Sequence, residues 1–321
     1  MKLTPFFLLA LLALPALAYN PFAIPANKPP EPIDLTVKDA ARTRDIPIRV
    51  MLPHGKEPAP VILFSHGLGG SRNGPAYLGE HWAARGYAVV YVQHPGSDVD
   101  VWKGKPLGER VPALRQAASA HNFSLRVKDV PAVIDQLETW SKEAEHPLRG
   151  RLDLARLGMS GHSFGAVTTQ AISGQSFPGN VALTDARIKA AMPLSPSSPR
   201  AGDPARAFGG VKIPWLLMTG TQDTSPIGDI DVKSRLAVFP ALPAGGKYEL
   251  VLDAARHSAF GDSLLPGDLG AQKNPNHHKA ILALSTAFWD TYLRGDDEAK
   301  KWLDGEGPRT VLEKADTWQK K

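Results

Sequence analysis

The stretch Arg156 to Ile172, RLGMSGHSFGAVTTQAI, decides the fold. Its first five residues read as a short strand, and Phe164–Ile172 reads as a helix. Between them Gly161, His162, Ser163, Phe164 and Gly165 match the pattern G-x-S-x-G, in the strand-then-helix context which that pattern requires. So tight a turn demands glycine at its flanks and forces the serine into a strained backbone with its oxygen exposed. The helix behind it aims its first N–H groups at the same point, which suits a developing negative charge. Ser163 is therefore the candidate nucleophile.

Upstream of the motif, Val61–Ser65 (VILFS) and Ala88–Val92 (AVVYV) are continuous apolar runs, as expected of strands buried on both faces. The first ends in His66-Gly67-Leu68-Gly69-Gly70. Tyr77–Arg85 reads as a helix closed by Gly86. Val130, Val133, Ile134, Leu137 and Trp140 have helical spacing, with Asp129 as an N-cap. Ile33–Lys38 and Ile46–Leu52 are two earlier strands. Downstream, Ile188–Pro193, Trp215–Thr219 and Tyr248–Leu252 are further strands, and His278–Leu293 is a long amphipathic helix. Leu303 to Lys321 is ambiguous. Strand–helix alternation over this length implies an α/β domain: one mostly parallel sheet with helices on both faces. No internal repeat or boundary appears after residue 33, so residues 33–321 read as one domain. Pro95–Phe123 and Pro196–Gly210 read as long irregular loops, the kind that wall or lid a site.

Composition narrows the function. Thirty-seven basic against 32 acidic residues give +5, with no Lys/Arg block of five, so nucleic acid is not an expected partner. Cysteine is absent, which excludes disulfides, thiolate metal sites and a cysteine nucleophile. No H-E-x-x-H or H-x-x-E-H pattern occurs, so neither a metal nor any other cofactor is expected. Met1–Ala18 reads as a secretory signal: Lys2, the apolar run Phe6–Ala18, then Ala16-Leu17-Ala18 as the cleavage pattern, with Tyr19 as the mature start. The apolar run of about thirteen residues is short of the roughly 20 that span a bilayer. The expectation is a mature chain exported to the periplasm or beyond, with no membrane span. Asn20–Pro32 is Pro-rich and reads as an extended, unpacked arm.

GHSFG, HGLGG and the order of strands resemble the α/β-hydrolase superfamily, over about Ile33 to Leu303. FSHGLGGSR, WAARGYAVVYVQHPGSD and GHSFGA resemble the dienelactone-hydrolase-like and platelet-activating-factor-acetylhydrolase-like esterases in particular. True dienelactone hydrolases use cysteine, and this chain has Ser163, so the resemblance is to the serine esterases. It implies partners in the order serine, acid, histidine. The acid follows the strand Ile213–Thr219: Asp223 in Gly220-Thr221-Gln222-Asp223, with Asp229 and Asp231 as rivals. The histidine follows the strand Lys247–Asp253, which indicates His257. His277 and His278 read as an exposed helix start, and His66, His94 and His162 as structural or site-lining. The resemblance puts the oxyanion donors at the N–H groups of Leu68 and Phe164.

The implied activity is hydrolysis of a small-molecule carboxylic ester through an acyl-enzyme. A polyester or cutinase-type hydrolase and a serine peptidase on the same fold are the alternatives. A non-catalytic binding protein on this scaffold would be expected to lack a triad member. Leu68, Phe164 and Trp215 suit an apolar acyl or aromatic group, though core packing explains Trp215 equally well.

Overall fold

The protein's structure, a computed structural model, describes residues 18–25, 29–225, 227–261 and 274–321. The expected signal, apart from Ala18, lies outside them. In chain order the strands are β1 (Ile33–Asp39), β2 (Arg44–Met51), β3 (Ala59–Ser65), β4 (Ala88–Val92), β5 (Leu152–His162), β6 (Ser176–Phe177), β7 (Val181–Ala182), β8 (Ile188–Leu194), β9 (Trp215–Gln222), β10 (Lys247–Arg256) and β11 (Thr317–Lys320). The helices are α1 (Ala76–Arg85), α2 (Leu107–Ala117), α3 (Ala120–Trp140), α4 (Phe164–Ile172), α5 (Pro204–Phe208), α6 (Val232–Leu236), α7 (Val238–Ala241), α8 (Pro275–Arg294) and α9 (Asp297–Asp304).

Nine strands form one sheet in the order β1-β2-β4-β3-β5-β8-β9-β10-β11. From β4 to β10 the pairings are parallel; β1, β2 and β11 add antiparallel edges. Period-2 alternation sends side chains to opposite faces. On β3, Ile62 and Phe64 join Trp82 of α1 and Trp289 of α8, while Val61 and Leu63 join Val130, Ile134 and Leu137 of α3. Each face thus has its own core, which is why these strands read as unbroken apolar runs. On β9, Trp215 and Leu217 pack with Phe208 of α5 and Phe239 of α7. No helix among the described residues is long and apolar enough to cross a membrane.

Several expectations are corrected. The region 95–123 is not irregular: it holds α2 and the start of α3. Pro106 and Pro112 and a mostly exposed surface, with Leu107 80% exposed, masked α2 in the sequence. Likewise α5 lies within 196–210, its N-cap Asp203 accepting from the Ala205 N–H. Helix α3 begins nine residues before Asp129, capped by Ser119. Asp129 is no cap; it is buried mid-helix. The arm is not wholly unpacked: Tyr19 Oη donates to buried Asp290 Oδ2 at 2.7 Å, and Arg85 Nη1 donates to the carbonyl of Ala23 at 2.5 Å. The ambiguous C-terminal stretch closes with β11, paired to β10.

Candidate active site

Four candidate groups stand one residue beyond the C-terminal ends of four parallel strands: His66 after β3, Ser163 after β5, Asp223 after β9 and His257 after β10. In an open α/β sheet this is the edge where ligands bind. Ser163 has φ 58° and ψ −115°, a conformation that L-residues avoid. A Cβ on Gly165 would fall inside the radius of the Ser65 carbonyl oxygen, and one on Gly161 would meet the Gly165 carbonyl at 2.5 Å. The close approach of α4 to β3 therefore requires both glycines.

The structure brings Ser163, His257 and Asp223 together. His257 Nδ1 is 2.7 Å from Asp223 Oδ1, and its Nε2 is 2.8 Å from Ser163 Oγ. The carboxylate partner identifies Nδ1 as the protonated nitrogen, which leaves Nε2 to accept from the serine hydroxyl. Asp223 is fully buried, and Thr219 Oγ1 donates to its Oδ2 at 2.9 Å. Burial alone would raise its pKa. The hydrogen bond from His257 and the charges of His257 and Arg235 outweigh that and hold it at about 2. The rivals are elsewhere: Asp231 caps α6 by accepting from the Ser234 N–H, and Asp229 sits in a turn at φ 47°.

Leu68 and Phe164 both line the cleft beside Ser163. A Cβ added to Gly67 would meet that of Ser163 at 3.5 Å, so the loop after β3 runs against the elbow. The peptide joining Gly67 to Leu68 is held by its carbonyl, which accepts from Gly70 N–H at 3.0 Å and faces His66 Nδ1 at 2.6 Å. In a trans peptide the Leu68 N–H points the opposite way from that carbonyl. The Phe164 N–H is at the first turn of α4, where helical donors lack an i−4 acceptor.

Beneath this loop lies a buried polar cluster. Arg126, fully buried on α3, donates to Ser65 Oγ (3.0 Å), Ser97 Oγ (2.9 Å), Thr168 Oγ1 (3.1 Å) and the His66 carbonyl, and its guanidinium lies 4.6 Å from the Phe164 ring centre. Asp129 accepts from Arg42, Arg44 and His94. Burial pushes His94 down to about 4 and His66 well below the ordinary imidazole value, so both stand neutral. His162, under the His257 ring at 4.6 Å between centres, falls to about 3 through desolvation and then the charge of His257. His94 is thus core and not cleft lining, and His277 is buried, its Nε2 at 3.0 Å from the Asp253 carbonyl. Trp215 likewise belongs to the core.

Sequence reading missed Arg126, Arg235 and the role of Asp129. Arg126 had a signal: it sits in helical register with Val130, Val133 and Leu137, a charge on an apolar stripe. Arg235 had none, being one of two basic residues in a five-residue helix. It is 1% exposed, with Nε 2.8 Å from Asp223 Oδ1.

The cleft above Ser163 measures about 1970 Å³. Val111 and Leu114 of α2, Phe177, Ile230 and Phe260 give it apolar walls, and residues 197–203 close another side. Among the described residues no group of three His, Asp or Glu is placed to hold a metal ion.

The family model for platelet-activating factor acetylhydrolase, isoform II, matches residues 44–99, which carry β2 to β4 and the loop after β3. The chain is also 24% identical over 253 residues to Cutinase est2 of Thermobifida alba, covering 78% of this chain and 65% of that protein. It thus spans less than two thirds of that relative's length. The mostly parallel sheet with helices on both faces and a serine turn after its fifth strand is the α/β-hydrolase fold, and both similarities are to esterases.

Proposed function

We propose that the protein is a serine carboxylic-ester hydrolase acting through an acyl-enzyme. The observation that carries this reading is the chain of contacts from Ser163 Oγ to His257 to Asp223, at 2.8 and 2.7 Å, at the mouth of a large apolar-walled cleft. A serine hydroxyl is a poor nucleophile until a base takes its proton. His257 Nε2 takes it as Ser163 Oγ attacks the ester carbonyl. The proton then passes to the leaving alkoxide, and the alcohol departs. Water attacks the acyl-enzyme, His257 again accepting the proton and returning it to Ser163. Asp223 orients the imidazole and stabilises its cation. The N–H groups of Leu68 and Phe164 bind the oxyanion in both steps. No step calls for a cofactor.

The test is labelling with a fluorophosphonate probe beside turnover of a p-nitrophenyl ester series. Ser163→Ala should abolish labelling and lower turnover by roughly a thousandfold or more with the fold intact. Turnover that survives in this variant overturns the reading. A peptidase would instead also cleave peptide bonds, which the esterase reading does not expect. A polyester-hydrolase reading draws on the relative's name, a cutinase, and on the volume of the cleft; release of soluble product from a polyester film decides it. Export follows from the leader Met1–Ala18, and the mass of the exported protein should place its first residue at Tyr19.

A further inference from the structure

Acyl transfer by serine and histidine develops a single protein cation, on the imidazole. This site holds a second, permanent one. Arg235 of α6 is almost wholly buried. Its Nε stands 2.8 Å from Asp223 Oδ1 and donates to the Asp223 backbone carbonyl at 2.7 Å. Its Nη1 donates to the carbonyls of Ser195 at 2.7 Å and Pro196 at 3.1 Å. One guanidinium therefore ties the loop carrying the acid to the loop after β8. His257 Nδ1 and Arg235 Nε converge on the same carboxylate oxygen. Arg235 Nη2 is then 3.1 Å from His257 Nδ1. Both nitrogens carry hydrogens while the histidine faces its carboxylate, so this approach is no hydrogen bond. It sets a fixed positive charge against the ring that must become positive.

We propose that Arg235 is a positioning residue of the Asp223–His257 pair: its fork fixes the loop that carries Asp223, and its charge makes the imidazole work against an ion pair in place of a free anion. The proposal rests on the triad reading given above. Two opposed charges at similar distance from the ring largely cancel there, so Asp223 orients His257 while Arg235 offsets the field of its carboxylate. Loss of the guanidinium charge leaves that field unopposed and favours the protonated ring. Other charged or titratable groups come from each neighbouring element. His162 of the elbow lies under the ring, Asp231 caps α6, Arg256 ends β10, and His277 in α8 contacts the Asp253 carbonyl. His162 is held neutral, with a pKa of about 3. None of these is a second cation in contact with the Asp223 carboxylate among the described hydrogen bonds and ion pairs.

The experiment compares the wild type with Arg235→Gln and Arg235→Lys in kcat and KM across pH, using a neutral p-nitrophenyl ester, with thermal melts as folding control. Arg235→Gln removes the charge; its acid limb of kcat/KM should move to higher pH by about one unit, with kcat lower by about tenfold and KM little changed. Arg235→Lys keeps the charge and loses the planar fork; its limb should stay where the wild type has it, with kcat lowered. A folded Gln variant whose limb does not move overturns the proposal, whatever its rate, since a purely structural role alters amount and not pH response. If the Gln variant does not fold, the Lys variant decides, and a Lys variant with full kcat overturns the positioning role. If neither folds, Arg235 is a structural pin only and the proposal falls. Failure of the parent reading is separate: it shows in the wild type, as absence of probe labelling at Ser163.

Discussion

Asp223 shows how much of the candidate chemistry turns on single residues. Its carboxylate faces His257, Arg235 and Thr219 and meets no solvent. Held at about pKa 2, it stays ionised throughout the range in which an esterase is assayed. Asp223→Asn removes the charge that orients the imidazole, and kcat should fall by about 10⁴-fold. The variant also leaves Arg235 without a counter-ion, so a lower melting temperature should accompany the loss. Asp231→Asn, by contrast, keeps a side-chain oxygen to accept from Ser234 and should hold kcat within about twofold, because Asn caps as well as Asp. Ester turnover of both variants under one set of conditions checks the assignment. Equal losses from the two would transfer the role away from Asp223.

At the scale of elements, α3 does more than cover the sheet. Its apolar stripe of Val127, Val130, Val133, Ile134 and Leu137 packs on β3 and β4, as its spacing implied. Its first turns carry Arg126 under the loop after β3, and Asp129 against Arg42, Arg44 and His94. Asp129 reads as a helix cap when only its local sequence is considered, and a cap lost to alanine costs about 1 kcal/mol. As a buried counter-ion, its loss should cost about 3–5 kcal/mol, because two arginines are left without their partner. Urea denaturation of Asp129→Ala separates these values. A loss near 1 kcal/mol would mean that water or rearranged side chains replace the carboxylate.

For the whole molecule, the buried imidazoles set the response to acid. His94 and His162 have folded values of about 4 and 3 against an ordinary 6.5, and His66 is also far down. A histidine with a depressed folded pKa is neutral in both states above 6.5. As pH falls below that value the unfolded chain takes the proton first, so stability is lost down to the folded pKa. For His94 alone the loss is on the order of 3 kcal/mol. Glu249, raised to about 7 chiefly by burial, works the other way, since its protonation favours the folded state as pH falls from 7. With His81, also lowered by burial, four depressed histidines against raised Glu249 and Asp98 leave a net loss between about pH 6.5 and 4. A second loss follows below 4, where Asp129 and Asp223, both near 2, become protonated in the unfolded chain first. Urea midpoints measured from pH 7.5 to 4 should begin to fall below about pH 6.5; a flat profile would refute the neutral, buried state of these histidines.

Local sequence determined the parts of this protein whose physics is local. A glycine-flanked serine between a strand and a helix can form only one kind of turn, and unbroken apolar runs can sit only inside a sheet covered on both faces. Hence the elbow at Ser163 and the parallel strands β3, β4, β5, β8, β9 and β10 were legible, and with the resemblance so were Asp223 and His257, the residues that the structure brings together. What tertiary structure decided is where charge is buried. Arg235, Arg126 and Asp129 look like surface residues in a linear reading, because Arg and Asp are normally solvated. Each is buried because partners from other segments, 12 to 87 residues away, supply the hydrogen bonds and opposite charge that water would otherwise provide. Helix α2 eluded the sequence for a related reason: its prolines and exposed surface carry little periodic signal, and its apolar residues Val111 and Leu114 wall a cleft that exists only once the sheet has formed.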